Sequence, residues 1–271
     1  MNACISQSCT MTTPFAEDLS RSAEGGAQAV EVWLTKLETH LKTQSLDDTL
    51  ALLAERLLTP AAAAVQGGLL LSRGEQRSAH WDHFKRRLDL CERFRIPTLI
   101  ISADPVANRS ERAESLGIAM ASLGEAAHWA AGFGVKLAFE FQGTGAVCTT
   151  LETAARIVNE INHPHLGLCL DAFHFFQGPS KESDLSLVST DNLFHVQLCD
   201  VAGVPRELMT DSDRIFPGEG DFPLAPLVRR LREIQYAGFV SLELTNPVLW
   251  QAKPTQVVEL GLTALNRTLS L

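Results

Sequence analysis

The stretch LGLCLDAFHFFQGP, residues 166–179, decides how the chain is read. Its first five residues, Leu166-Gly-Leu-Cys-Leu170, form an apolar run bounded by Pro164 and by the Gly178-Pro179 turn. A run of that length between such breakers reads as a buried strand rather than a helix. It ends on Asp171, and His174 follows three residues later, so a carboxylate and an imidazole stand where a strand leaves the core. Strand C-terminal ends are where α/β folds place their chemistry. Locally, the same pair also reads as a capping aspartate and a loop histidine. What separates the two readings is how the other strands end.

Upstream, residues 3–10 read as a short strand, and residues 14–23, opening at Pro14, as a helix stopped by Gly25-Gly26. A second strand follows at 29–34. Ser45-Leu-Asp-Asp48 starts a helix with acid in its first turn, which Pro60 terminates before a small-residue strand at 61–66. Residues 67–73 form a loop, 76–94 a helix, 98–102 a strand leading to Asp104-Pro105, and 110–131 a helix. The fifth strand spans 134–142. Thr149-Thr-Leu-Glu152 has the capping-box pattern for a helix running to Ile161. Downstream of Asp171 come a polar segment of helical character at 181–189, a strand at 193–198 and a long loop to Asp221. A helix at 223–234, a strand at 238–244 and a helix at 254–269 complete the chain. Eight strands alternating with helical segments predict an α/β fold, a single (β/α)8 TIM barrel forming one domain over residues 1–271. The competing doubly wound sheet lacks its signature: no G-x-G-x-x-G follows the first strand, and Gly67-Gly68 is too sparse to cradle a phosphate.

Composition agrees with a large buried core: 271 residues, 45% of them hydrophobic, with a net charge of −9. The negative charge is spread along the chain, and no Lys/Arg cluster with interleaved aromatics is present to track a phosphate backbone, which excludes nucleic acid as a partner. Cys4, Cys9, Cys91, Cys148, Cys169 and Cys199 are scattered without a C-x-x-C pair, so they are expected to be reduced thiols in a cytoplasmic protein. The N-terminus lacks a basic n-region, and no window of about 18 apolar residues exists to span a bilayer.

The other strand ends repeat the pattern of the sixth. Strand five ends in Phe139-Glu140-Phe141, strand seven in His195-Val196-Gln197 and strand eight in Leu242-Glu243-Leu244. Three carboxylates converging on one mouth, each between large apolar neighbours and with few basic residues nearby, would repel strongly. A divalent cation resolves that repulsion.

These motifs resemble the sugar phosphate isomerase/epimerase family, the xylose-isomerase-like TIM barrels. The resemblance runs from Ala29-Val-Glu-Val-Trp33 through Phe139-Glu140, Asp171-Ala-Phe-His174, His195-Val-Gln-Leu-Cys-Asp200 and Arg214-Ile-Phe-Pro-Gly-Glu-Gly-Asp221 to Ser241-Leu-Glu243. It implies Glu140, Asp171, Gln197 and Glu243 as metal ligands, with His174 and Arg214 contacting a small polyhydroxylated carbonyl substrate. The family usually carries a histidine where this chain has Gln197. An amide oxygen there makes the protein ligand set all-oxygen, which favours Mn2+ or Mg2+ over Co2+ or Zn2+. The same departure points to the 3-dehydroshikimate dehydratase branch. His195, on the same strand face as Gln197, reads as a core or supporting residue rather than a ligand. Cys169 and Cys199 read as packed thiols, and Glu31 and the Gly67-Gly68 loop as lining the mouth.

The resemblance also narrows the activity. An endonuclease IV-like enzyme carries further zinc-binding histidines, whereas His40, His80 and His83 fall in loop or helix patterns here, and ketose 3-epimerases carry a glutamate where this chain has Ala146. The expected activity is that of a metal-dependent sugar isomerase or epimerase. Glu140 and Glu243 would remove and return an α-proton while the metal stabilises an enediolate. A lyase of the 3-dehydroshikimate or inosose dehydratase type is the alternative, and a catalytically inactive binding barrel is the third reading.

Overall fold

The structure is a computed structural model that describes residues 1–106 and 112–271. Eight parallel strands close into a barrel in sequence order: β1 (Asn2–Ser6), β2 (Ala29–Trp33), β3 (Thr59–Gln66), β4 (Thr98–Ser102), β5 (Lys136–Glu140), β6 (Leu166–Asp171), β7 (Leu193–Leu198) and β8 (Phe239–Leu242). The helices are α1 (Phe15–Glu24), α2 (Leu34–His40), α3 (Leu46–Glu55), α4 (Gly74–Arg93), α5 (Arg112–Gly132), α6 (Leu151–Ile161), α7 (Ala172–Gln177), α8 (Leu224–Glu233) and α9 (Pro254–Leu269). This is the (β/α)8 architecture expected from the strand and helix spacing. The expected start of the fifth helix at Ser110 lies outside the described residues. None of the described helices is long and apolar enough to cross a membrane.

By contact density the chain divides into two compact units, Met1–Ala63 with Val196–Leu271, and Ala64–His195. In the first unit β1 pairs with both β2 and β8, placing Ser6 opposite Glu31 and Cys4 opposite Ser241, while β7 places Gln197 opposite Ser241. Small side chains fill the layer below: Cys4, Ala29 and Ala61 pack together with Phe239 against them. Because strand side chains alternate, Ala29 shares the face of Glu31 one step deeper, so the carboxylate stands on a tightly packed apolar layer. The segment after β8 is tied to the end of β1 by the Trp250 indole, which donates to the Ser8 carbonyl at 2.8 Å.

In the second unit β5 lies between β4 and β6, with Glu140 opposite Ser102 on one side and Cys169 on the other. At the end of β4, Asp104 accepts the backbone N–H groups of Gly68 and Leu71, each at 2.8 Å. The Gly67-Gly68 loop therefore spends its backbone donors on a carboxylate of its own chain. In β6, Gly167 sits against the Phe194 ring, and a Cβ there would stand 2.6 Å from its Cγ. Gly167→Ala overpacks that contact and is expected to cost about 1–3 kcal/mol. Urea unfolding checks it: a midpoint unchanged from wild type would mean that the ring moves aside freely.

Element ends differ from expectation where local chemistry intervenes. β1 stops at Ser6 instead of reaching Thr10, because the Ser6 hydroxyl accepts the Ser8 N–H and opens a one-turn 3-10 helix over Gln7–Thr10. The α6 cap falls one residue later than the Thr149 pattern, with Thr150 Oγ1 accepting the Thr153 N–H at 3.1 Å. The short helix α2 follows β2 directly, where no helix was expected.

Candidate active site and metal centre

Glu140 is the last residue of β5 and is buried. Two residues on, and so on the same face, the Gln142 amide donates to its Oε2 at 2.7 Å. Asp171 ends β6 and caps α7, its Oδ1 accepting the Phe173 N–H at 2.7 Å. The capping role and the chemical role proposed for Asp171 are thus compatible, one oxygen serving each. The first turn of α7 brings His174 back over the strand end, with Nε2 3.6 Å from Asp171 Oδ2. Glu140, Asp171 and His174 each present a ligand atom, and the three atoms lie within 4.8 Å of one another, all on buried residues. Two carboxylates this close repel unless a proton or a cation sits among them, and an imidazole completes a donor set that divalent metals accept. On donor type and spacing, the cluster fits a divalent cation.

Two glycines let the segment after β5 approach the C-terminal end of α7 closely. A Cβ on Gly143 would stand 2.9 Å from the Gly178 nitrogen, and one on Gly178 would stand 2.8 Å from the carbonyls of His174 and Thr149. Without side chains at both positions, the segment after β5 packs against the C-terminal end of α7.

The other expected residues lie in the first unit. Gln197 is buried on β7, and its amide nitrogen donates to both oxygens of Glu31, at 3.2 and 3.3 Å. Glu243 falls one residue beyond β8 and pairs with Arg214, whose Nη1 is 3.0 Å from its Oε2. The same guanidinium reaches Asp211 with Nη2 at 2.7 Å and Nε at 3.1 Å. Its loop is held from the β8 side as well: Asn246 donates to the Arg214 carbonyl at 3.0 Å, and the Thr245 hydroxyl to the Asp211 carbonyl at 2.8 Å. Arg214, expected to contact substrate, here spans Glu243 and Asp211, so its immediate physical effect is to orient a buried carboxylate through a charge-assisted bond.

Asp200 fixes the rest of that loop, accepting the N–H groups of Val201 and Phe222 at 2.9 Å and of Gly218 at 3.0 Å. A Cβ on Gly220 would come within 2.4 Å of its Oδ1, which requires glycine there. Glu31, Gln142 and Asp211 are partners that the motif reading did not assign. Gln142 was accessible through strand alternation and Asp211 through its i, i+3 spacing to Arg214. Glu31 was placed at the mouth by the sequence, but it stands 166 residues from Gln197 and no local signal marked their pairing. All six cysteines are buried and unbridged, and burial pushes the Cys91 thiol up to about 12 and raises Cys4 as well, as for packed, unreactive thiols.

Residues 19–267 match the family described as xylose isomerase-like TIM barrel, and the chain belongs to it. It is similar to the inosose isomerase of Halalkalibacterium halodurans, 26% identical over 266 residues that cover 96% of this chain and 93% of that protein. A crystal structure of IOLI protein with a bound zinc atom superposes with a TM-score of 0.93 at 25% identity, covering 100% of this chain and 98% of that one. The 3-dehydroshikimate dehydratase of Pseudomonas putida is 25% identical over 195 residues, which cover 71% of this chain and 30% of that protein.

Proposed function

We propose that the chain is a divalent-metal-dependent isomerase or epimerase acting on a sugar or polyol-derived carbonyl compound. The observation that carries this reading is the buried cluster of Glu140, Asp171 and His174, with ligand atoms within 4.8 Å of one another. The similarity to inosose isomerase supports the substrate class and the reaction type. The ligand set implied by the family resemblance is Glu140, Asp171, Gln197 and Glu243. His174 brings an imidazole nitrogen close to Glu140 and Asp171, which opens the position to Zn2+ and Co2+ as well as Mn2+ and Mg2+. When bound, a divalent cation supplies Lewis-acid polarisation of a substrate carbonyl.

The protein's own groups do the rest. Glu140, steadied by Gln142, and Glu243, steadied by Arg214, are the two carboxylates assigned to proton transfer. One removes the proton on the carbon next to the carbonyl. Return of a proton to the opposite face gives an epimer, and return to the adjacent carbon gives an isomer. Arg214 holds Glu243 in one rotamer and balances its charge, so that the carboxylate remains available as a base. Glu140, Glu243 and Arg214 are buried, which shields the two carboxylates from bulk water.

A dehydratase is the second reading, favoured by one contact. His174 lies 3.6 Å from Asp171, a carboxylate that would hold the imidazole in its protonated form, the form able to protonate a departing β-hydroxyl. The similarity to 3-dehydroshikimate dehydratase supports it.

One experiment separates the readings: inososes, ketoses and 3-dehydroshikimate are incubated with the metal-loaded protein in D2O, followed by mass and ultraviolet absorbance. The expected result is a product of equal chemical composition with deuterium next to the carbonyl and no new absorbance band. An absorbing product lighter by one water, with neither ketose nor inosose isomerised or epimerised, establishes the lyase instead.

A further inference from the structure

Glu31 is fully buried, yet the motif reading gave it no task beyond lining the mouth. It accepts the Gln197 amide nitrogen through both carboxylate oxygens, at 3.2 and 3.3 Å. The chemistry of the two groups fixes the geometry: an ionised carboxylate only accepts hydrogen bonds, so the amide must present its NH2 to Glu31, and its oxygen is turned to the side away from it. Left to itself, a buried glutamine amide satisfies its surroundings about equally well in either orientation. Opposite a carboxylate it has one.

We infer that Glu31 is a positioning residue that fixes the Gln197 amide with its oxygen, not its nitrogen, presented as a metal donor. The inference rests on the reading of Gln197 as a ligand. It assigns to β2 the function that an orienting carboxylate performs behind a metal-bound imidazole, where a hydrogen bond on one side of the ligand sets which atom faces the metal. An NH2 group has no lone pair to give, so a flipped amide at this position loses the donor altogether. Glu31 itself stands on an ordered platform: Ser6 lies opposite it in the β1 register, and the small, packed Ala29 lies one step deeper on its face.

The test is calorimetric titration of the chelator-stripped full chain with Mn2+ and with Zn2+, alongside its thermal unfolding midpoint. Glu31→Gln replaces the carboxylate by an amide of the same size, so the constraint on Gln197 disappears while the packing is kept. Affinity is expected to fall by about 10–100-fold, the range for loss of a ligand's hydrogen-bonding partner. The double variant Glu31→Gln, Gln197→Glu exchanges donor and acceptor and places an oxygen at position 197 in either orientation. It is expected to recover binding to within a few-fold of wild type, which a merely structural loss at Glu31 does not allow.

Wild-type affinity in Glu31→Gln, with weakened binding in Gln197→Ala, overturns the positioning role and leaves Gln197 a ligand. Undiminished binding in Gln197→Ala removes Gln197 from the ligand set and the inference with it. A wild-type chain that binds neither ion overturns the metal reading itself.

Discussion

Glu140→Gln and Glu243→Gln are each expected to reduce turnover by about 10²–10⁴-fold, the contribution of a positioned general base. Both substitutions keep the side chain's length and one oxygen while removing its charge and its basicity, so what is lost is proton abstraction and electrostatic attraction for a cation rather than shape. The two differ in their effect on the fold. At Glu140 the partner is the neutral Gln142 amide, and a glutamine there still offers it an amide oxygen. At Glu243 the partner is the buried guanidinium of Arg214, whose pairing with the exposed Asp211 persists after the change while its bond to the carboxylate at 243 is lost. A lost bond between charged groups is worth about 1.5–3 kcal/mol. Glu243→Gln should therefore melt measurably lower than wild type, and Glu140→Gln close to it. The measurement is steady-state turnover on the responsive substrate with metal content and melting point determined for each variant. Near-wild-type turnover in either one removes that glutamate from the proton-transfer pair.

The largest expected effect on stability lies away from the proposed chemistry. Lys36 on α2 places its ammonium 2.6 Å from Asp18 on α1, and also donates to the carbonyls of Thr10 at 2.7 Å and Gln7 at 3.2 Å. Asp18 in turn accepts the Thr10 hydroxyl at 2.6 Å, and its side chain has no exposed surface. Burial is the leading influence on both groups, raising Asp18 and lowering Lys36, with each partner opposing the other's shift. Removing one member leaves the other charge buried: Lys36→Met is expected to cost about 3–5 kcal/mol, while the double replacement Asp18→Leu, Lys36→Met recovers most of it.

The sign with pH follows from linkage. A carboxyl whose native value is raised holds its proton more tightly in the folded chain. Its contribution is complete below the ordinary value of 3.8 and is lost as pH rises through the raised value. Without Lys36 that value rises further, so the deficit of Lys36→Met should be small near pH 5 and large near pH 8. Urea unfolding at the two pH values checks this. An equal deficit at both would mean that the loss comes from packing of the lysine stem and not from the stranded carboxylate.

The fold was legible because its signals are local. Apolar runs between Pro97 and Pro105 and between Asp191-Asn192 and Asp200 mark β4 and β7 at their observed limits, and α9 likewise begins at Pro254 and ends at Leu269. Where strands were read too long, as at 134–142 and 238–244, apolar residues continue past the last ladder bond: β5 stops at Glu140 and β8 at Leu242. Hydropathy reports burial, and burial outlasts strand pairing at a barrel mouth. α2 escaped notice for the opposite reason. It is seven residues long and has no side-chain cap, so its helical state is set by packing rather than by its own sequence.

The sequence by itself determined the alternation of strands and helices, and with it which residues end each strand, because period and punctuation act over a few residues. It therefore placed Glu140, Asp171 and Gln197 at strand ends before any contact was known, and Glu243 within a residue of one. Only the tertiary structure decided which partners those residues have. Gln197 meets Glu31 across 166 residues of chain, Arg214 meets Glu243 across 29, and Trp250 reaches Ser8 across 242. Hydrogen bonds between distant segments depend on strand register and barrel closure, which fix side chains to within tenths of an ångström, and no local pattern of residue types encodes a distance.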